Sequence, residues 1–118
     1  MATLHIVVVG PCAAGKTTLI ANLEKQGITA RQLAQEHSFV PDMWQRLSQP
    51  DALIYLDCTY PVSMQRKPLN WSEREFEEQK HRLRHARKLA NLYIHTDDKT
   101  PEEVVEIVVG FIQSISEG

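Results

Sequence analysis

The sequence predicts an α/β fold, a three-layer α/β/α sandwich around a small parallel sheet of about four strands. Two observations lead there. Two apolar runs, LHIVVV near the start and ALIYLD at 52–57, lack the alternation of a half-exposed strand, as expected of parallel strands covered on both faces. Helical patterns separate the strand candidates all along the chain, the ordering that places helices on both faces of one sheet.

The first strand covers Leu4 to Val9. From Gly15 the apolar spacing becomes helical, with Leu19, Ile20 and Leu23 on one stripe, until Gly27 offers a stop at about residue 26. A strand follows within Ile28 to Ala34, where Ile28, Ala30 and Leu33 hold no clean period. The segment QEHSFVPDMWQRLSQPD reads as a loop with a short helix from Pro41 to Leu47. Ala52 to Asp57 is rich in strand formers. Tyr60-Pro61 opens a short helix that Pro68 closes. Ser72 and Glu75 match a capping box at the head of a charged helix running to about residue 90. Leu92 to Thr96 is the last strand. Thr100 and Glu103 form a second capping box, with Pro101 at the first helical position, before Val104, Ile107, Val108, Phe111 and Ile115 at helical spacing.

With 118 residues, 42% apolar and 24% charged, the chain suits one domain spanning residues 1–118 with a single core. The net charge of −2 supplies no broad positive field for nucleic acid or an anionic membrane, so neither is expected as a partner. Cys12 and Cys58 follow no metal-ligand spacing and read as free thiols of a reducing cytosol. The beginning MATLHIVVVG has no basic leader and too few apolar residues for a signal or span, which points to a cytoplasmic protein.

The chemistry concentrates between the first strand and the first helix. Gly10-Pro11-Cys12-Ala13-Ala14-Gly15-Lys16-Thr17 fits G-x-x-x-x-G-K-[ST] in the setting that pattern requires, and chance yields such a match in on the order of one in a few hundred chains of this length. A triphosphate is wrapped by backbone N–H groups, so residues facing it must be small; Gly10, Ala13, Ala14 and Gly15 qualify. The helix that follows adds its positive end, Lys16 a full charge for the terminal phosphates, and Thr17 a hydroxyl for Mg²⁺. By position, Thr18 donates to the phosphate nearest the ribose. Pro11 and Cys12 complete the cradle; Cys12 reads most simply as a small tolerated side chain, with a lowered thiol pKa, from its place at a helix N-terminus, as the alternative.

These eight residues resemble the Walker A loop of the P-loop nucleoside triphosphate hydrolase superfamily. The arrangement PDALIYLD, a helix opened by Tyr60-Pro61, a charged helix and NLYIHTDDKTPEEVVEIV is similar to the C-terminal half of small nucleoside and nucleotide kinases of the thymidylate and adenylate kinase pattern. That resemblance covers about the first 25 residues and Pro50 to Ser116. It implies an ATP-binding (or other NTP-binding), Mg²⁺-dependent protein that transfers the γ-phosphoryl group to an unknown small-molecule acceptor. It also implies lid arginines among Arg66, Arg82 and Arg84, and a base-side loop of Asp98, Lys99, Thr100 and Pro101. Catalysis would rest on Lys16, Asp57 and Arg82, with Thr17 and Asp57 serving the metal.

The sequence departs from that pattern in two places. Residues 28–49 must supply both the carboxylate and the acceptor-binding insertions those kinases carry there. Asp57 sits in a context where the aspartate is often structural, which leaves Glu36, beside His37, as the other carboxylate for Mg²⁺ or for orienting a nucleophile. A charged helix with Glu73, Glu75, Glu77 and Glu78 early and Arg82, Arg84, Arg87 and Lys88 late also matches its own macrodipole. Trp44 and Trp71 suit either a base or an apolar anchor. His81, His85 and His95 read as surface or helix-end residues. The sequence has no N-K-x-D, which disfavours a guanine-specific switch. A nucleotide-binding module without catalysis, or a minimal NTPase, is the alternative.

Overall fold

Strands β1 (Ile6–Val9) and β3 (Ala52–Asp57) are buried along their whole length, the condition their unbroken apolar runs anticipate. In the computed structural model, which describes residues 4–67 and 72–117, they form the centre of a four-stranded sheet of order β2-β1-β3-β4, with β2 at Arg31–Gln32 and β4 at Leu92–His95. Every pairing is parallel, with Val7 opposite both Arg31 and Leu53, and Ile54 opposite Leu92.

Helices α1 (Lys16–Lys25), α2 (Met43–Leu47), α3 (Tyr60–Arg66), α4 (Glu73–Arg82), α5 (Arg84–Leu89) and α6 (Pro101–Glu117) connect and cover these strands. Side chains alternate across the sheet and divide the core in two. Ile6, Val8, Ile54 and Leu56 pack with Leu19 and Leu23 of α1 and Val104, Val108 and Ile112 of α6. Val7, Val9, Leu53 and Tyr55 pack with Trp44 of α2, Leu83, and Ala86 of α5. Two apolar clusters on one sheet make the three-layer α/β/α arrangement, with the period of two deciding which residue enters which layer.

Boundary signals behave as their chemistry requires. α1 ends in a Schellman closure, the Gly27 amide donating to Glu24 O and the Ile28 amide to Leu23 O, with Gly27 at φ +80°. Ser72 Oγ accepts from the Glu75 amide, and Thr100 Oγ1 from the Glu103 amide, so both capping boxes form.

Several expectations change, among them the first strand, which starts at Ile6 and not at Leu4. The strand sought in 28–34 contracts to the two exposed residues Arg31 and Gln32, an edge pair with no apolar face to extend it. The helix sought from Pro41 begins at Met43. The single helix from 73 to 90 divides at Leu83, whose φ of −94° and ψ of 0° interrupt the run. The division lets one segment serve both layers: Phe76 joins the first cluster, Leu83 and Ala86 the second. Pro68 and Trp71, singled out in the sequence, lie outside the described residues. Among the described residues, no helix is long and apolar enough to cross a membrane.

Because β1 is followed by β2 on one side and β3 lies on the other, the loop leaving β1 sits where the strand order reverses, at the carboxyl ends of the strands.

Candidate functional site

Residues 10–15 leave β1 and pass directly against β3. A Cβ at Gly10 would stand 2.1 Å from Leu56 O, so only glycine allows this approach. Ala13 (φ 67°) and Gly15 (φ 102°) take left-handed backbone, reversals that make a tight turn, within which the Ala14 amide donates to Pro11 O at 3.3 Å. α1 starts at once, adding the unpaired donors and positive end of a helix N-terminus. Arg66 on α3 steadies the far rim, donating to Ala13 O at 3.1 Å and to Thr96 Oγ1 at 2.9 Å, while the Thr96 hydroxyl lies 3.0 Å from Ala14 O.

At the base of the turn the Lys16 ammonium is buried. Its Nζ donates to Gly10 O at 2.5 Å and to Glu36 Oε2 at 2.5 Å. Glu36 belongs to a 3-10 turn, Gln35–His37, and its other oxygen, Oε1, is buried without a hydrogen-bond partner. A buried carboxylate oxygen with no donor is an expensive group. Gln35 holds the turn in place: its Oε1 accepts from the Trp44 amide at 2.8 Å, and its Nε2 donates to Val40 O and Arg82 O. Trp44 is accordingly an apolar anchor, 4% exposed, with its indole N–H donating to His85 Nδ1 at 3.1 Å.

A cavity of about 710 Å³ opens above this pair, within the size range of small-molecule sites. Its floor is Cys12 to Leu19. One flank, at the end of β4, presents Arg66, Lys67, Thr96, Lys99, Pro101 and Val104; the other, beyond β2, presents Gln32, Ala34, Glu36 and His37. Thr17 and Thr18 are exposed to it, and Thr17 Oγ1 donates to Gln32 Oε1 at 3.4 Å. Of the residues expected on the base side, Lys99 and Pro101 line the cavity, Thr100 spends its hydroxyl on the cap of α6, and the exposed Asp98 pairs with Lys99 at 3.4 Å.

Asp57 and Arg82 are placed elsewhere, and neither is among the described residues lining the cavity. Asp57 is the last residue of β3 on the face of Tyr55. Its carboxylate accepts from the Tyr93 hydroxyl at 2.5 Å and the Cys58 amide at 2.9 Å, with Lys80 Nζ at 3.5 Å. Arg82 stacks on Phe39 at 4.3 Å, pairs with Glu78 at 3.5 Å and donates to the backbone oxygen of Glu36 at 3.4 Å. Arg84 donates to His81 O. Of the three arginines considered as lid residues, the fold brings Arg66 to the cavity.

The thiol pKa of Cys12 moves opposite to the alternative of a lowered value. Burial raises it, the Glu36 carboxylate adds to the rise, and Lys16 and Lys67 oppose it without prevailing. Its Sγ lies 3.9 Å from His37 Nε2, and Cys12, Glu36 and His37 place ligand-type atoms within 4.8 Å of one another. Glu36 Oε2 in that group already holds the ammonium of Lys16.

Two supporting residues escaped the sequence. Gln79 on α4 is 2% exposed and accepts the Cys12 amide at 3.0 Å; its spacing from Phe76 and Leu83 puts it on the buried stripe, a signal that was there to read. Thr96, 3% exposed at the end of β4, had no such mark. In sequence the chain matches no protein-family model and none of the curated proteins with which it was compared, so the reading of this site rests on its own geometry.

Proposed function

We propose that this protein binds a nucleoside triphosphate, with ATP as the first candidate, and transfers its γ-phosphoryl group to a small acceptor. The observation that carries the reading is the buried Lys16 ammonium at the base of a tight loop of small residues that leads into α1 and opens onto a cavity of nucleotide size. In this reading the triphosphate lies along residues 10–18, and Lys16 exchanges Gly10 O and Glu36 for the terminal phosphates. Arg66 and Lys99 border the same channel, and the apolar atoms of Leu19, Pro101 and Val104 suit the base.

The donor set also bears on Mg²⁺. Thr17 Oγ1 and Gln32 Oε1 are hard oxygens side by side on the cavity wall, the kind this ion prefers, whereas Asp57 is held by Tyr93, Cys58 and Lys80 away from it. Thr17 would therefore hold the ion. When bound, Mg²⁺ supplies charge neutralisation at the phosphates. Glu36 replaces Asp57 as the carboxylate available to the reaction, because Glu36 lines the cavity.

One observation favours the second reading, a module that holds nucleotide without turnover: Arg82 is committed to Phe39, Glu78 and Glu36 O. Calorimetric titration and thermal shift with Mg-ATP and Mg-GTP test the shared premise. At a hundred times Kd, a nucleotide should stabilise the fold by about 2.7 kcal/mol. No heat and no shift with either nucleotide would remove both readings. Release of ADP that depends on an added acceptor separates the transferase from the module.

A further inference from the structure

We infer that the phosphoryl acceptor is an uncharged hydroxyl compound, of the nucleoside, sugar or polyol class, and not a phosphomonoester; this rests on the nucleotide reading of the same cavity.

The two flanks of the cavity differ in charge. Arg66, Lys67 and Lys99 stand on the β4 side, where Arg66 is bonded to the loop through Ala13 O and to Thr96. Among the three, Lys67 and Lys99 border the channel given to the triphosphate, and Arg66, held by Ala13 O and Thr96, fixes its rim. The opposite flank, which the nucleotide reading leaves to the acceptor, offers Gln32, Ala34, Glu36 and His37, and among the described residues it has no lysine or arginine. A phosphomonoester is a dianion at neutral pH and is ordinarily held by a fork of arginine donors. Arg82, bonded to Glu36 O and Glu78 and stacked on Phe39, presents its guanidinium to those groups instead.

Glu36 sets the same requirement from the other direction. Its Oε1 is buried and lacks a donor, and its Oε2 is satisfied by the ammonium that the phosphates will claim. With the triphosphate bound, the carboxylate needs an O–H or N–H donor. A hydroxyl supplies one; a phosphate dianion supplies none and adds repulsion next to a buried anion. The hydroxyl that satisfies Glu36 is also the nucleophile. Its oxygen forms the new bond to Pγ, the bond from Pγ to the bridging oxygen of the β-phosphate breaks, ADP leaves with that electron pair, and the hydroxyl proton passes to Glu36.

The experiment is made on the full chain in two stages. Calorimetry with Mg-ATP comes first, and absence of binding overturns the nucleotide reading and this inference together. With binding established, [γ-³²P]ATP is supplied with adenosine, thymidine, ribose, glucose or glycerol, and in parallel with AMP, dTMP or glucose 6-phosphate. Label in a product of the first set and none in the second is the expected result. Label in the second set, or in neither, overturns the inference while leaving nucleotide binding intact. For the accepted compound, Glu36→Gln should lower kcat by about 10²- to 10⁴-fold, while Mg-ATP still binds in calorimetry at least as tightly as to the parent, because Lys16 no longer has to leave a carboxylate. An unchanged kcat, or loss of Mg-ATP binding, would count against the assignment as well.

Discussion

The Lys16–Glu36 pair can be tested without any ligand, because its removal should be felt first as a loss of stability. At 2.5 Å the two charges attract by about 7 kcal/mol at an effective dielectric of 20, and withdrawing both from water cancels much of this. The intact pair is therefore close to neutral for folding, whereas one partner left alone is not. Lys16→Met should leave the Glu36 carboxylate, already lacking a donor on Oε1, with the half-exposed His37 ring at 3.9 Å as its nearest ion-pair candidate among the described residues, and cost about 3–5 kcal/mol. Unfolding entropy for a chain of this size converts that to a fall in Tm of about 12–20 °C. The double variant Lys16→Met/Glu36→Met removes both charges and should recover all but about 1–2 kcal/mol of the loss. Urea titration followed by tryptophan fluorescence, with calorimetry for Tm, gives each value. Lys16→Met within about 1 kcal/mol of the parent, or a double variant as unstable as the two singles combined, would refute the reasoning.

Alkaline pH should weaken the fold. Burial pushes the Cys58 thiol up to about 11, and burial with the hydrogen bond to Asp57 pushes Tyr93 up to about 12; burial likewise raises Tyr55. The folded form keeps these protons after the unfolded chain has released them. Stability is complete below the ordinary values of 9 for the thiol and 10 for the phenol and falls as pH rises through 11 and 12. Tm that is flat between pH 8 and 11 would contradict this. Asp97 adds an acid-side counterpart: against the cost of burial, hydrogen bonds from Thr59 hold its carboxyl below the usual range, so its contribution is present at neutral pH and disappears as pH falls through that lowered value. Asp97→Asn should flatten the acid limb of the stability profile, and an unaltered limb would remove Asp97 from it. Gly10→Ala sets a Cβ 2.1 Å from Leu56 O and should cost about 3 kcal/mol by displacing the loop from β3, which denaturant midpoints would show; a parent-like midpoint would mean that the loop and strand separate freely. Cys12, with its raised thiol pKa, should react with iodoacetamide at pH 7 more slowly than free cysteine, and faster reaction would mean an activated thiolate.

Legibility tracked the range of the forces involved. β3 coincides with the apolar run at 52–57, and both capping boxes form where their residues are spaced for them, since such signals depend on neighbours in the chain. β2 is shorter than sought because an edge strand next to a buried one needs little sequence of its own. The break at Leu83 contains neither glycine nor proline, and it separates Phe76, in one apolar cluster, from Ala86, which joins Leu83 in the other, a division no local window contains.

The same division runs through the site. The amino-acid order alone determined the parallel α/β architecture and the small-residue loop ending in Lys16 and Thr17, because strand periodicity, helix caps and backbone permissiveness are short-range properties. Which carboxylate meets Lys16 was decided only in three dimensions. The sequence put Asp57 ahead, with Glu36 as the other carboxylate, but β3 delivers Asp57 to Tyr93 and Lys80, while the turn pinned by Gln35 carries Glu36 across 20 positions of chain to the ammonium. Charge pairing acts through space, and strand order sets the distances over which it acts.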